Sequence, residues 1–411
     1  MYKAYKYRLY PNKSQKELIT KHMGCVRFVY NWALNMKISA YQKDNLSLSR
    51  FDLQKELPVM KKTVEYSWLK EVNSQSLQVS LENLDKAYTN FFRDKKGFPK
   101  FKSKDFSNKS FAIPQKGKVD FDNNKFYAPK FKQGIRCKFH REFDGVIKTC
   151  TVSQTPTNKY FVSVLVETFD TEIVKAHPKE SNAIGIDLGL KDFATISNGE
   201  VISNPKFLSH KLSRLKVLQK RASKKKEGSC NRKKANLLVA KQYETITNQR
   251  TDFLHKLSSR LISENQTICL EDLAVKNMMK RCKAKKDESG NYIPNGQSAK
   301  KGLNKSISDV GWYKFNCFLE YKADWYGVNI LRIGRFEPSS KMCSCGVINK
   351  ELKLSDRVWE CRSCGIKNNR DELAANNIKH FAFHPQNKSR LGRPVAPVEM
   401  SSLEESAKQE S

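Results

Sequence analysis

Three acidic residues and four cysteines are the side chains whose setting in this sequence points to chemistry. Asp187 sits in the apolar run Ile184-Gly185-Ile186-Asp187-Leu188-Gly189-Leu190, followed by the alternating Phe193-Ala194-Thr195-Ile196 and the turn Ser197-Asn198-Gly199-Glu200. That pattern reads as a β-hairpin whose first strand carries a carboxylate at its centre. Desolvating a lone charge is costly unless a cation or hydrogen bonds compensate, so Asp187 reads as a metal ligand, with a surface Asp at a strand end as the bland alternative. Thr267-Ile268-Cys269-Leu270 forms a second apolar strand ending in Glu271-Asp272. Asp371 falls in Asn369-Arg370-Asp371-Glu372-Leu373-Ala374-Ala375, where Asp371 or Asn369 starts a helix; an Asp there is ordinarily a cap. Cys343-Ser344-Cys345 and Cys361-Arg362-Ser363-Cys364-Gly365 are separated by fifteen residues. Two close pairs across a short hairpin fit a four-thiolate zinc ribbon, because tetrahedral zinc takes ligands from two facing turns. The first pair has one intervening residue where a knuckle normally has two, so a degenerate ribbon held by packing is the alternative.

These residues need elements to hold them. Tyr5-Lys6-Tyr7-Arg8-Leu9-Tyr10 alternates as a strand, and a helix follows, with Ser14 and Glu17 at capping-box spacing. A second helix starts near Asn73-Ser74 and carries Leu77, Leu81, Leu84, Ala87, Tyr88, Phe91 and Phe92 on one stripe, which is core. From about 110 to 168 the period becomes two, predicting an antiparallel, barrel-like β module that the opening strand completes, with the helical region inserted between. Residues 169–182 read as a linker, 283–305 as a mobile insertion, and 385–411 as a disordered tail. A helix is predicted over Ser306 to Tyr326 and a strand over Val328 to Ile333. A strand Asp, a strand-end Glu and a helix-start Asp together are the parts that a ribonuclease-H-like metal site uses.

Charge points to the partner. The chain of 411 residues has a formal net charge of +34, a field that most simply implies a polyanion, nucleic acid first. An anionic membrane surface is the runner-up, but no apolar run approaches a span and no apolar leader is present, so the chain reads as soluble and intracellular. Seven scattered single cysteines (Cys25, Cys137, Cys150, Cys230, Cys269, Cys282 and Cys317) fit a reducing compartment. Between Lys216 and Lys241 there are ten Lys or Arg against one acid, Glu227. Lys216, Lys220, Arg221, Lys224, Lys225, Lys233 and Lys234 read as a phosphate-contacting stripe, with an ordinary charged face as the alternative. Phe98, Lys100 and Lys102 belong to a tract that interleaves cations with rings, suited either to tracking a nucleic-acid backbone or to anchoring a solvated loop.

In order along the chain, Gly185-Ile186-Asp187-Leu188-Gly189, Leu270-Glu271-Asp272-Leu273, Ser339-Ser340-Lys341 before the cysteine pairs, and Arg370-Asp371-Glu372-Leu373-Ala374-Ala375-Asn376-Asn377-Ile378 resemble the TnpB (OrfB) proteins of insertion sequences, relatives of the type V CRISPR effectors. Tyr7-Arg8-Leu9-Tyr10-Pro11, Phe98-Pro99-Lys100-Phe101 and Ile307-Ser308-Asp309-Val310-Gly311-Trp312 extend the likeness over nearly the whole chain. The resemblance implies an α/β plus β architecture: a β-barrel wedge domain (1–10 and 106–180) with a helical recognition domain (11–105) inserted, then a RuvC-type, ribonuclease-H-like nuclease domain (181–338, resuming at 367–384) interrupted by a zinc ribbon (339–366). It implies an RNA-guided endonuclease that uses an RNA from the transposon end and cuts double-stranded DNA beside a short motif, in a prokaryotic cytoplasm and nucleoid-associated when on DNA. Asp187, Glu271 and Asp371 would be the catalytic triad holding two Mg²⁺ about 3.5–4 Å apart, and Cys343, Cys345, Cys361 and Cys364 would hold Zn²⁺. Asp272 is the rival to Glu271, but strand neighbours point to opposite faces and the family motif selects the Glu. A guided DNA-binding repressor without cleavage is the alternative, which the three intact acids oppose. A transposase that joins DNA itself is disfavoured because no Tyr stands beside a paired-His motif. The short first cysteine pair and the 283–305 insertion depart from the family pattern, and whether the chain is a monomer or dimer is left undetermined.

Overall fold

The computed structural model describes residues 1–104, 109–169, 173–353 and 355–385, so the tail predicted from 385 lies outside the described residues beyond its first position. The chain divides into two compact units, Met1–Glu172 and Ile173–Ser411.

In the first unit β1 (Tyr2–Tyr10) leads into α1 (Lys13–Asp44), α2 (Arg50–Lys62) and α3 (Ser74–Phe92), and the chain then returns as β2 (Lys109–Ile113), β3 (Lys118–Asp120), β4 (Lys125–Ala128), β5 (Phe131–Lys138), β6 (Val146–Gln154) and β7 (Tyr160–Glu167). The opening strand does complete the β module: β1 pairs antiparallel with β7 and with β5, and the helices lie between it and the rest in sequence. The module is an open sheet rather than a barrel among the described residues, ordered β2-β6-β7-β1-β5-β4-β3. Its β3 edge is three residues long and carries Lys118 and Asp120, the short charged form that blunts an unpaired edge.

Two helix starts differ from the sequence reading. Asn12, not Ser14, caps α1, its side chain accepting from the Gln15 N–H while Gln15 reaches back to the Asn12 N–H. The sequence pattern does not predict α2, because Pro58 interrupts it and only Leu53, Leu57 and Met60 are buried. The helix forms nonetheless behind a Ser49–Asp52 capping box.

The second unit begins with a 3₁₀ turn at Glu180–Asn182, then β8 (Ala183–Leu188), β9 (Asp192–Ile196), β10 (Val201–Ser203), the helices α4 (Phe207–Ser223) and α5 (Cys230–Glu264), β11 (Thr267–Glu271) and the single turn α6 (Val275–Met278). The small hairpin β12 (Lys285–Lys286) and β13 (Tyr292–Ile293) precedes α7 (Gln297–Val310), α8 (Trp312–Tyr326) and β14 (Asn329–Ile333). A ribbon containing β15 (Val358–Glu360) and β16 (Lys367–Asn369) delivers the chain into α9 (Arg370–Phe383). Its main sheet runs β10-β9-β8-β11-β14, with β8, β11 and β14 parallel and β9 and β10 antiparallel.

The stretch 283–305 is thus not a structureless insertion. It holds the β12–β13 hairpin and most of α7, whose buried anchors Ile307 and Val310 fall just past its end. The helix predicted over 306–326 is two helices, broken where Gly311 takes φ +77°, a conformation that glycine adopts without a side-chain clash. No helix among the described residues is long and apolar enough to cross a membrane.

Candidate active site and metal centre

Strand periodicity sorts the second unit's sheet into two unlike faces. Ile184, Ile186, Ile268 and Leu270 pack with Leu254, Leu257 and Leu261 of α5 and with Phe315 and Leu319 of α8. Ala183 and Cys269 point the other way and pack with Ile378 and Phe381 of α9. Asp187 and Glu271 fall on this second face, two residues beyond Gly185 and Cys269, which are register partners. Each acid therefore stands at the carboxyl end of a parallel strand, where open α/β sheets place their ligands. Asp187 is the fifth residue of six in β8 rather than its centre, and β8 and β9 are joined at residues 189–191. The turn at 197–200 belongs to β9 and β10.

The third acid arrives on α9. Asn369 caps the helix, its side-chain oxygen accepting the Asp371 N–H at 3.2 Å, so Asp371 is the second helical residue. The helix lies tightly against β8 because position 185 is glycine: a Cβ there would overlap the Ala375 carbonyl oxygen and approach the Lys379 nitrogen to 2.8 Å. Asn377, buried on α9, donates to the Ser339 and Met342 carbonyls at 2.6 and 2.7 Å, tying the helix to the segment that opens the ribbon.

Electrostatics link the three carboxylates. Burial, then the charges of Glu271 and Asp371, push Asp187 up to about 7, against weaker opposition from Arg370 and Arg357. Glu271 is raised by burial and by Asp272. Asp272 itself turns outward to Arg335, 2.5 Å from its guanidinium, which separates it from Glu271 as strand alternation requires. The donor set is all oxygen and carries more negative charge than it can hold comfortably, which fits hard divalent cations such as Mg²⁺. The oxygens of the three acids are not all within 4.8 Å of one another.

The raised Asp187 value has a measurable sign. Between the ordinary carboxylate value of 3.8 and about 7, the folded chain keeps a proton that the unfolded chain has lost, so stability falls as pH rises through that window. Asp187→Asn is expected to melt several degrees above the parent near pH 8 without added divalent ions, a margin that closes toward pH 4. Thermal melts of both proteins across that range check it, and a margin that does not change with pH would contradict the raised value.

Arg357, from the ribbon, grips both Asp371 oxygens at 3.1 Å. Sequence reasoning missed this partner, and nothing in its spacing announces it.

The cysteine cluster assembles despite its short first pair. Cys343 and Cys364 sulfurs lie 3.6 Å apart, as do those of Cys345 and Cys361, near the roughly 3.8 Å expected around tetrahedral zinc at 2.3 Å. Each pair is followed by a glycine at positive φ, Gly346 at +86° and Gly365 at +69°. The Gly346 N–H donates to the Cys343 carbonyl and the Gly365 N–H to the Cys361 carbonyl, so the first turn simply closes one residue sooner. Burial acts to raise the Cys343 thiol, but hydrogen bonds from the Cys345 N–H and the Asn368 amide outweigh it and leave it at about 6. The four sulfurs could hold a zinc ion. Cys361→Ser is expected to abolish the bound zinc found by elemental analysis and to cost on the order of 2 kcal/mol or more, a Tm fall of about 4–8 °C.

The nucleic-acid candidates are scattered over both units. Lys216, Lys220, Arg221, Lys224, Lys225, Lys233 and Lys234 are all exposed, on α4, α5 and the turn joining them. Phe98 packs edge-on against Phe91 and Tyr88 and stays exposed. Lys100 is exposed, whereas Lys102 is half-buried with its ammonium 3.8 Å from the centre of the Tyr30 ring.

Known proteins resemble this chain over most of its length. A family model described as "Probable transposase" matches residues 161–282, and one described as "Cas12f1-like, TNB domain" matches 312–378, spanning the ribbon and Asp371. A "Helix-turn-helix domain" model matches residues 1–45, which here are β1 and one unbroken helix. A protein of Streptomyces pristinaespiralis named "Putative RNA-guided DNA endonuclease" is 37% identical over 379 residues, 92% of this chain and 88% of that protein. "Putative RNA-guided DNA endonuclease InsQ" of Escherichia coli (strain K12) is 33% identical over 402 residues, 97% and 98% of the two chains. Among solved structures, the mini-RNA-guided endonuclease CRISPR-Cas_phi3 is similar at TM-score 0.48 and 9% identity, over 93% of this chain and 92% of that one.

Proposed function

This chain belongs to the TnpB (OrfB) family, and from that premise we propose that it is an RNA-guided DNA endonuclease with a ribonuclease-H-like, RuvC-type site made by Asp187, Glu271 and Asp371. The observation that carries the reading is three carboxylates from two parallel strand ends and one helix start, near enough that Glu271 and Asp371 add to the burial that raises Asp187 to about 7. Two Mg²⁺ held by these acids would activate water at the scissile phosphate and stabilise the leaving 3′ oxygen.

The protein's part is positioning. Gly185 brings α9 against β8, so that Asp371 is presented beside Asp187. Asn377 fixes α9 to the ribbon's root. Asp371 stands in the first turn of α9, where the positive end of the helix favours a carboxylate. Arg357 must loosen its two-oxygen grip for Asp371 to offer both oxygens to an ion. The cations on α4 and α5 supply phosphate contacts whose strength falls steeply with salt, and a guide RNA from the transposon end would supply sequence, leaving the protein to read duplex shape and a short adjacent motif.

The test is direct. The protein is copurified with its RNA, the RNA is sequenced, and a plasmid bearing the matching sequence is incubated with the complex and Mg²⁺. Cleavage at the matched site supports the reading. Tight guided binding with no cleavage under any divalent ion replaces it with a repressor, and no copurifying RNA removes the guide.

A further inference from the structure

We propose that Glu180, His380 and His384 form a second metal site, selective for a first-row transition ion such as Zn²⁺, Ni²⁺, Co²⁺ or Cu²⁺ and separate from both the acid pocket and the cysteine cluster. Among the described residues, only this trio and the four cysteines bring three or more ligand atoms all within 4.8 Å of one another. His380 lies in the last turn of α9 and His384, four residues on, is its C-cap, tied back by its N–H to the His380 carbonyl, and their ring centres are 4.8 Å apart. Glu180 reaches them from the 3₁₀ turn before β8, its Oε2 2.9 Å from His384 Nε2. Zinc at 2.0–2.1 Å from each ligand holds ligand atoms about 3.3 Å apart. The trio therefore needs a contraction of at most about 1.5 Å, within the reach of side-chain rotation. Both histidines are exposed and Glu180 is half-buried, so an ion can enter and water can complete its shell.

Chemistry sets the class of ion. Two imidazoles with one carboxylate suit zinc, copper, nickel and cobalt, whereas Mg²⁺ prefers oxygen alone. Position sets it apart from the nuclease site, because His380 lies nine residues beyond Asp371, about 14 Å along the helix at 1.5 Å per residue. An ion there would fasten the far end of α9 to the chain entering β8, joining the elements that carry Asp371 and Asp187. The inference does not depend on the nuclease reading.

The experiment uses full-length, tag-free protein already loaded with zinc at the cysteines, titrated with Co²⁺ in millimolar Mg²⁺ to occupy oxygen-only sites. One further equivalent of Co²⁺ is expected, with the visible absorption of a low-coordinate nitrogen and oxygen site and without sulfur-to-metal charge transfer. His380→Ala and His384→Ala should each lose it, while His177→Ala and Asp187→Ala keep it. At an ion concentration about a hundred times its dissociation constant, Tm should rise by roughly 5–10 °C in the parent and not in the two histidine variants. No further equivalent in the parent, retention in His384→Ala, or loss in Asp187→Ala would each overturn the proposal, the last by moving the ion to the acid pocket.

Discussion

Replacing Asp187 by Ala is expected to reduce guided plasmid cleavage by at least about a thousandfold while leaving binding of the same DNA within a few-fold of the parent. The size follows from what the side chain does. As the shared ligand proposed above it would fix where positive charge meets the phosphate, and loss of several kcal/mol of that stabilisation would correspond, at 1.36 kcal/mol per tenfold, to about three decades or more. The retention of binding follows from the separation of roles, since the exposed cations on α4 and α5 are untouched by the substitution. Glu271→Gln and Asp371→Asn should behave in the same way, and double variants should lose little more than single ones because the three act as a unit. Asp272→Asn should cleave within a few-fold of the parent, for its carboxylate is turned to Arg335. Single-turnover rates and filter binding on matched substrates check the set. A variant of Asp187 that still cuts at a tenth of the parental rate would move the chemistry elsewhere.

The second large effect concerns a residue with no side chain. Gly185→Ala adds one methyl where the Ala375 carbonyl and the Lys379 nitrogen leave no room, and the obstacle is helix backbone, which cannot rotate aside. Overpacking of this kind costs about 1–3 kcal/mol, sometimes more; at about 3 kcal/mol the Tm of a unit this size falls by roughly 6–12 °C. Relief requires α9 to lift from β8, which carries Asp371 away from Asp187. Cleavage should therefore fall even at temperatures where the variant remains folded, and more Mg²⁺ should recover part of it. Thermal melts beside cleavage rates at several Mg²⁺ concentrations distinguish this from simple unfolding. A variant with parental Tm and parental rate would mean that α9 does not pack on β8 as described.

Much of the site is legible in the amino-acid sequence, for reasons that differ by residue. Strands β8 and β11 stand out because both faces are covered, so their sequences are unbroken apolar runs in which Asp187 and Glu271 are conspicuous. The start of α9 is legible from Asn369 and its neighbours. What escapes is whatever depends on the approach of distant segments: Arg357 on Asp371, Asn377 on the Ser339 and Met342 carbonyls, and the need for glycine at 185. The β module's strands show their period, but period does not say whether a sheet closes on itself, and among the described residues it remains open. Local rules also misplace boundaries. A proline hides α2, sparse apolar content hides α7, and the first cysteine turn looks defective by residue count although an earlier-closing turn brings its sulfurs into place.

The path of the chain through the second unit also bears on when cutting power comes into being during synthesis. The ribosome makes β8 with the first acid, then the cationic helices, then β11 with the second, and only after the ribbon does it reach Asp371 on α9. A nascent or prematurely terminated chain would present its polyanion-gripping surface with the pocket one carboxylate short. On the function proposed above, α9 would then work as a safety catch, and fragments ending before it would be expected to hold nucleic acid without breaking it.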